Sequence, residues 1–268
     1  MSEIVTRTLT GAVYVALTLG AAWAGQWTSL LLFLPVCAIA AREWHRLAWA
    51  DDAEGPSEVI TIALASTIYV AVALLAIIPQ WSIMHATAVA LGAMALLCFG
   101  MMIRGSTRPA GVLGMHAATM LYVALPFGLV THFLESGPQP FIGFMLMLWS
   151  NDTGAYLAGR AFGRTKLMPS VSPKKTVEGS IGGVALTLAM AWWLSRISPV
   201  FPMSEWMICA LVVAVMSTVG DLFESALKRA RGVKDSGHVL PGHGGILDRF
   251  DSFLFAAPAM LLVIRLMG

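Results

Sequence analysis

Long apolar runs recur along the whole chain, and they decide what it can fold into. Crossing the core of a bilayer takes about 20 mostly apolar residues in a helix. Nine stretches meet or approach that description: 9–25, 27–41, 58–78, 83–103, 111–133, 139–158, 179–195, 204–223 and 250–266. The first two are short and divided by Gly25, Gln26 and Trp27, so they also read as one bent hairpin. Composition agrees: 57% of residues are hydrophobic and 12% charged, against about 25% charged in an ordinary soluble domain. The expected fold is all-α, a polytopic integral membrane protein with about nine transmembrane helices. Arg7 is the one basic residue ahead of the first run, and further apolar runs follow directly. That start reads as a retained helix rather than a cleaved leader.

The basic residues orient these spans. Arg7, Arg42, Arg46, Arg104, Arg108, Arg160, Arg164, Lys166, Lys174, Lys175, Lys228, Arg229, Arg231, Lys234 and Arg249 all fall on one side of a nine-span layout. Only Arg196 and Arg265 fall on the other. The positive-inside rule makes the crowded side cytoplasmic, with the amino terminus inside and the carboxyl terminus outside. Like charges form no long block, so no nucleic-acid partner is expected. Cys37, Cys98 and Cys209 sit in apolar stretches without a CxxC pair, which implies neither a disulfide framework nor a zinc site. Residues 1–136 read as amino-terminal membrane helices with little chemistry in their loops. Residues 137–268 read as the catalytic region, with cytoplasmic loops 159–178 and 224–249. The paired broken helices of an inverted-repeat transporter are not seen.

Four constellations carry polar chemistry. Asn151, Asp152 and Thr153 close an apolar run that begins at Phe141. A carboxylate at such a place marks either a helix end at the interface or a polar pocket. Next, Pro169 and Pro173 frame an ordered turn before Lys174, Lys175, Thr176 and Glu178 at the mouth of a helix. Two lysines near a helix amino terminus suit a phosphate, though they also suit a cytoplasmic anchor. Gly179 and Gly183 form a GxxxG spacing that belongs to helix packing. Third, Asp221, Ser225 and Lys228 recur at helical spacing with Glu224 beside them. That stripe is either an internal ion pair or a face holding a metal and a phosphate together. Fourth, Gly242, Gly244 and Gly245 surround His243, and Asp248 and Asp251 follow on one helix face. Glycine turns of this kind can aim N–H groups at an anion, and an Asp at a helix start also serves as a cap.

Hard carboxylate oxygens suit Mg²⁺, which commonly takes one or two of them plus substrate phosphates. No HExxH and no GxxxxGK[ST] occurs, so zinc hydrolysis and a P-loop are not indicated. What remains is Mg²⁺-dependent chemistry on a phosphate-bearing substrate, at the cytoplasmic face, with access from the bilayer.

Ser225 to Asp251 reads SALKRARGVKDSGHVLPGHGGILDRFD. It resembles the signature S-x-x-K-R-x(4)-K-D-x-G-x(2)-L-P-x-H-G-G-x-x-D-R-x-D of the phosphatidate cytidylyltransferases, also called CDP-diacylglycerol synthases. The upstream NDTGAY and SPKKTVEGSIGG look like segments of the same family. The resemblance implies transfer of the cytidylyl group of CTP to phosphatidate, releasing pyrophosphate, with Mg²⁺ required and room for a second cation. It further implies metal binding by Asp221 and Asp248, and phosphate orientation by Ser225 and Lys228. Asp235 and Asp251 are further catalytic candidates. Asp152, Lys174, Lys175, Arg229, Lys234 and Arg249 are candidates for holding substrate, and His243, Gly244 and Gly245 for shaping the nucleotide loop. A homodimer in the inner membrane, with the site facing the cytoplasm, would fit the family. Rival readings are a CTP-using polyprenol or phytol kinase, an archaeal ether-lipid relative, and an ion-coupled carrier. A phosphotransferase consuming CDP-lipids would carry an Asp-Gly motif, and the chain has no Asp-Gly pair.

Overall fold

The computed structural model describes residues 3–49, 57–239 and 244–267. Among these, nine long helical segments follow one another. They are α1 Glu3–Ala24, α2 Gln26–Trp49, α3 Glu58–Ile77, α4 Ile83–Arg104, α5 Pro109–Phe133, α6 Gln139–Phe162, α7 Val177–Ile197, α8 Met203–Ala230 and α9 Leu247–Met267. Each expected span lies on one helix to within a residue or two. Seven of the nine are long and apolar enough to cross a membrane. The apolar part of α1, Thr8–Ala24, is shorter than the others. The remaining one, α6, carries Asn151, Asp152 and Arg160. Helices α2, α6 and α8 run past their apolar stretches into polar sequence, and those extensions bring in most of the chemistry.

One element was not expected. A two-stranded antiparallel hairpin, β1 Lys166–Met168 and β2 Ser172–Thr176, joins α6 to α7. Pro169 and Pro173 had marked a turn there, but strands this short show no alternating pattern for a sequence reading to find.

The chain divides into two compact units. The first runs to Glu135 and takes back Asp235–Arg249; the second comprises Ser136–Lys234 and everything from Phe250 on. In the first unit, Phe33, Tyr69, Phe127 and Phe133 are almost fully enclosed. The Tyr69 hydroxyl donates to the Leu30 carbonyl at 2.8 Å, and the Thr131 hydroxyl to that of Ala73 at 3.0 Å. Such bonds satisfy polar atoms that hydrocarbon cannot. Helix α5 widens into a π-turn at Thr119–Ala124, just before Pro126, whose ring nitrogen can donate no helical hydrogen bond. Helix α4 buries no residue, and Leu96, Phe99, Met102 and Ile103 stand exposed on it. In water that surface would be an association patch; against lipid tails it is ordinary.

The second unit is built on close helix contacts. A side chain at Gly154 would collide with the Gly182 carbonyl, and one at Gly179 with the Ala155 carbonyl. These positions let α6 and α7 touch backbone to backbone, as the GxxxG spacing suggested. Gly143 makes room for the Trp206 ring in the same way. Phe141, Phe144, Met145, Met147, Phe253 and Met260 fill the enclosed interior.

Candidate functional site

In the second unit, α6, β2, α7 and α8 line a cavity of about 410 Å³. Helix α6 contributes Asn151, Asp152, Tyr156 and Arg160, the hairpin Lys174, Lys175 and Thr176, and α8 Ser217, Thr218 and Asp221. The hairpin is fastened before it presents its lysines. Thr176 caps α7 by accepting from the Gly179 amide at 3.1 Å. Glu178 reaches back to accept from the amides of Arg164 and Thr165 at 3.0 and 3.1 Å. Glu178 is therefore a clasp on the hairpin. Lys174 stays exposed and Lys175 half-buried at the cavity wall.

Asp221 joins the second and third constellations. Its Oδ2 lies 2.6 Å from the Lys175 ammonium, and its Oδ1 accepts from the Ser225 hydroxyl at 3.2 Å. Lys228, by contrast, turns to Glu224 at 3.1 Å, and both are buried. The stripe on α8 thus divides. Lys228 makes the internal ion pair that helical spacing left open, and the cation on Asp221 arrives from a different element. Asn151 is anchored from behind, its amide donating to the Ser217 hydroxyl at 3.0 Å.

Asp251 completes this group. A side chain at Gly220 would strike the Asp251 carbonyl, so α9 approaches α8 closely one residue before Asp221. Asp221, Asp152 and Lys228 all lie within electrostatic range of Asp251. The Asp221 and Asp152 carboxylates both add negative potential at Asp251. Among the described residues no three His, Cys, Asp or Glu side chains form a ready-made metal cage. Mg²⁺ does not require one when substrate phosphates supply the remaining oxygens. Asp152 and Asp221 on the cavity wall, with Lys174 and Lys175 on the same wall, are residue types that suit a hard cation and a phosphate chain together.

Asp235, Gly237, Gly244, Gly245, Asp248 and Arg249 of the signature belong to the first unit. Asp248 Oδ2 accepts from the Ser236 amide, the Ser236 hydroxyl and the Gly245 amide, each at 2.9 Å. Gly244 has a φ of +82°, which only glycine adopts readily. Asp235 and Arg249 are exposed. Lys234 and Arg229, at the end of the second unit's sequence before this loop, are exposed too, and an Arg229 guanidinium nitrogen donates to the Val233 carbonyl at 3.0 Å. His243 lies outside the described residues.

Sequence reasoning missed Glu43. It is 2% exposed on α2 and accepts from the Ile246 and Leu247 amides at 3.1 and 2.7 Å and from the Ser236 hydroxyl at 3.0 Å. The available signal was an acidic residue beside an apolar run. Ending that span at residue 41 leaves Glu43 outside it, whereas α2 runs on to Trp49. Tyr156, Arg160 and Thr218 on the cavity wall were missed as well.

The chain is similar to proteins of known name. The phosphatidate cytidylyltransferase of Bacillus subtilis (strain 168) is 47% identical over 122 residues, 45% of each chain. That of Staphylococcus aureus (strain COL) is 41% identical over 152 residues, 54% of this chain and 56% of the relative. That of Staphylococcus saprophyticus is 40% identical over 148 residues, again 54% and 56%. The chain thus spans about half the length of the curated relatives it matches. A family model, in contrast, matches from residue 5 to residue 267. With nearly its whole length matched, the chain belongs to the Cytidylyltransferase family.

Proposed function

We propose that this protein transfers the cytidylyl group of CTP to phosphatidate, giving CDP-diacylglycerol and pyrophosphate, at the cytoplasmic face of a bacterial cell membrane. The observation that carries this reading is the cavity in which Lys174, Lys175 and Arg160 face Asp152 and Asp221, within a chain of the cytidylyltransferase family. The relatives' printed name supplies the lipid substrate. The excess of basic residues on one side supplies the orientation.

In the proposed reaction a phosphate oxygen of phosphatidate attacks the α-phosphorus of CTP. A new P–O–P linkage forms, the bond to the β-phosphate breaks, and pyrophosphate leaves. The attacking oxygen is already anionic, so no strong base is needed. The difficulty is bringing two anions together and stabilising charge on the leaving group. Lys174, Lys175 and Arg160 address the first by neutralising phosphate oxygens. Mg²⁺, when bound, would neutralise charge on the triphosphate. Asp221 is the ligand proposed at this cavity, with Asp152 and Asp251 adding negative potential in the same unit; Asp248 is proposed as a metal ligand from the signature alone. Ser225 orients the Asp221 carboxylate. Lys228 keeps Glu224 compensated inside α8, so its effect on phosphate is through the shape of that helix.

The test is incubation of the purified protein with phosphatidate and CTP labelled at the α or the γ phosphate. Label from the α position should enter lipid. Transfer from the γ position would make the protein a kinase instead, and no transfer from either would remove the enzymatic reading.

A further inference from the structure

Glu43 has no part in the reaction as derived, yet three donors reach its buried carboxylate. Burying a carboxylate without partners is strongly unfavourable, so its three donors matter. Two are successive amides, those of Ile246 and Leu247, at 3.1 and 2.7 Å. They open α9, where the helix dipole favours an anion. The third is the Ser236 hydroxyl, 3.0 Å from Glu43 Oε2 and 2.9 Å from Asp248 Oδ2. A hydroxyl has one proton and cannot donate to both at once. Ser236 therefore couples the two carboxylates, and moving Glu43 changes what Asp248 receives.

The glycines of the loop carry the same message. A side chain at Gly245 would run into Glu43 and the Ser236 hydroxyl, and one at Gly237 would run into Glu43. Two glycines of the signature are thus required by a residue roughly 200 positions earlier, as the sequence separations of 193 and 204 to its bonding partners show.

We infer that Glu43 is a positioning residue: it fixes Ser236 and the Gly245–Leu247 turn so that Asp248 presents its carboxylate in one orientation. This rests on the proposed role of Asp248 in holding the metal. Groups that orient a metal ligand change metal affinity or activity by about 10–100-fold when removed. Glu43→Gln keeps the size but replaces one acceptor oxygen with a donor that faces N–H or O–H groups.

The experiment uses the full-length protein in mixed micelles with phosphatidate. Glu43→Gln should raise the half-saturating Mg²⁺ concentration and lower kcat by about 10–100-fold. The KM for phosphatidate should stay near wild type. Hydrogen exchange should quicken at the Ile246 and Leu247 amides and not in α6 or α7. Faster exchange with unchanged Mg²⁺ dependence would reduce Glu43 to a simple cap and overturn the inference. So would no change in either. If Glu43→Gln does not fold, Ser236→Ala decides by the Mg²⁺ dependence and kcat alone, since it cuts the link to Asp248 and leaves both amide bonds to Glu43, so that exchange at Ile246 and Leu247 should stay near wild type. A wild-type protein that transfers nothing from CTP would sink the proposed reaction. The exchange pattern and Mn²⁺ binding would then still judge Glu43.

Discussion

Asp221 has both carboxylate oxygens engaged, one by Lys175 at 2.6 Å and one by Ser225 at 3.2 Å. Under the proposed reaction, a metal ion approaching Oδ2 would compete with the Lys175 ammonium, and a cation carried on a triphosphate would bring an anion to receive that ammonium. Lys175→Met should therefore tighten binding of Mn²⁺ alone by roughly tenfold, a charge-assisted bond being worth about 1.5 kcal/mol, while raising the KM for CTP. Calorimetric titration checks the first and steady-state kinetics the second; weaker Mn²⁺ binding in the variant would count against the exchange. Asp221→Asn should lower kcat by at least about 100-fold with the fold intact, as read by labelled-CTP transfer and by elution as a single species. The identity of this ion pair was not legible in the sequence. Helical spacing offered Lys228 to Asp221, because both lie on α8. The actual partner comes from a hairpin whose position depends on Glu178 and Thr176, and no periodicity encodes that.

At the scale of elements, small residues decide where helices meet. Gly182 faces Ala158 and the Gly154 carbonyl, so Gly182→Leu should push α7 off α6. Overpacking of this kind costs about 1–3 kcal/mol, which a lowered melting temperature in detergent would register. Gly220→Ala should act differently. The added methyl meets the Asp251 carbonyl and separates α8 from α9 beside the carboxylate group, so transfer activity should fall further than thermal stability does. Equal losses would show that Gly220 serves packing alone. The helices themselves were readable, because apolar runs of this length have few alternatives. So was the packing role of Gly179 and Gly183. The hairpin was not, since three- and five-residue strands leave too short a pattern.

For the whole molecule, the distribution of Lys and Arg predicts which side each loop occupies. With a membrane-impermeant maleimide on intact cells, Val239→Cys should be protected and Ser136→Cys labelled; the reverse pattern would invert the topology. Gly237 is the wrong place for such a probe, because Glu43 occupies the space. That same contact bears on how the protein is made. Glu43 leaves the ribosome 204 residues ahead of the Leu247 amide that it will accept from, a delay of roughly 10–40 s at about 5–20 residues per second. Throughout that interval the nascent chain holds an acidic group whose final partners do not yet exist. Synthesis that stops short of the last helix leaves that carboxylate without the Ile246 and Leu247 amides that it accepts from.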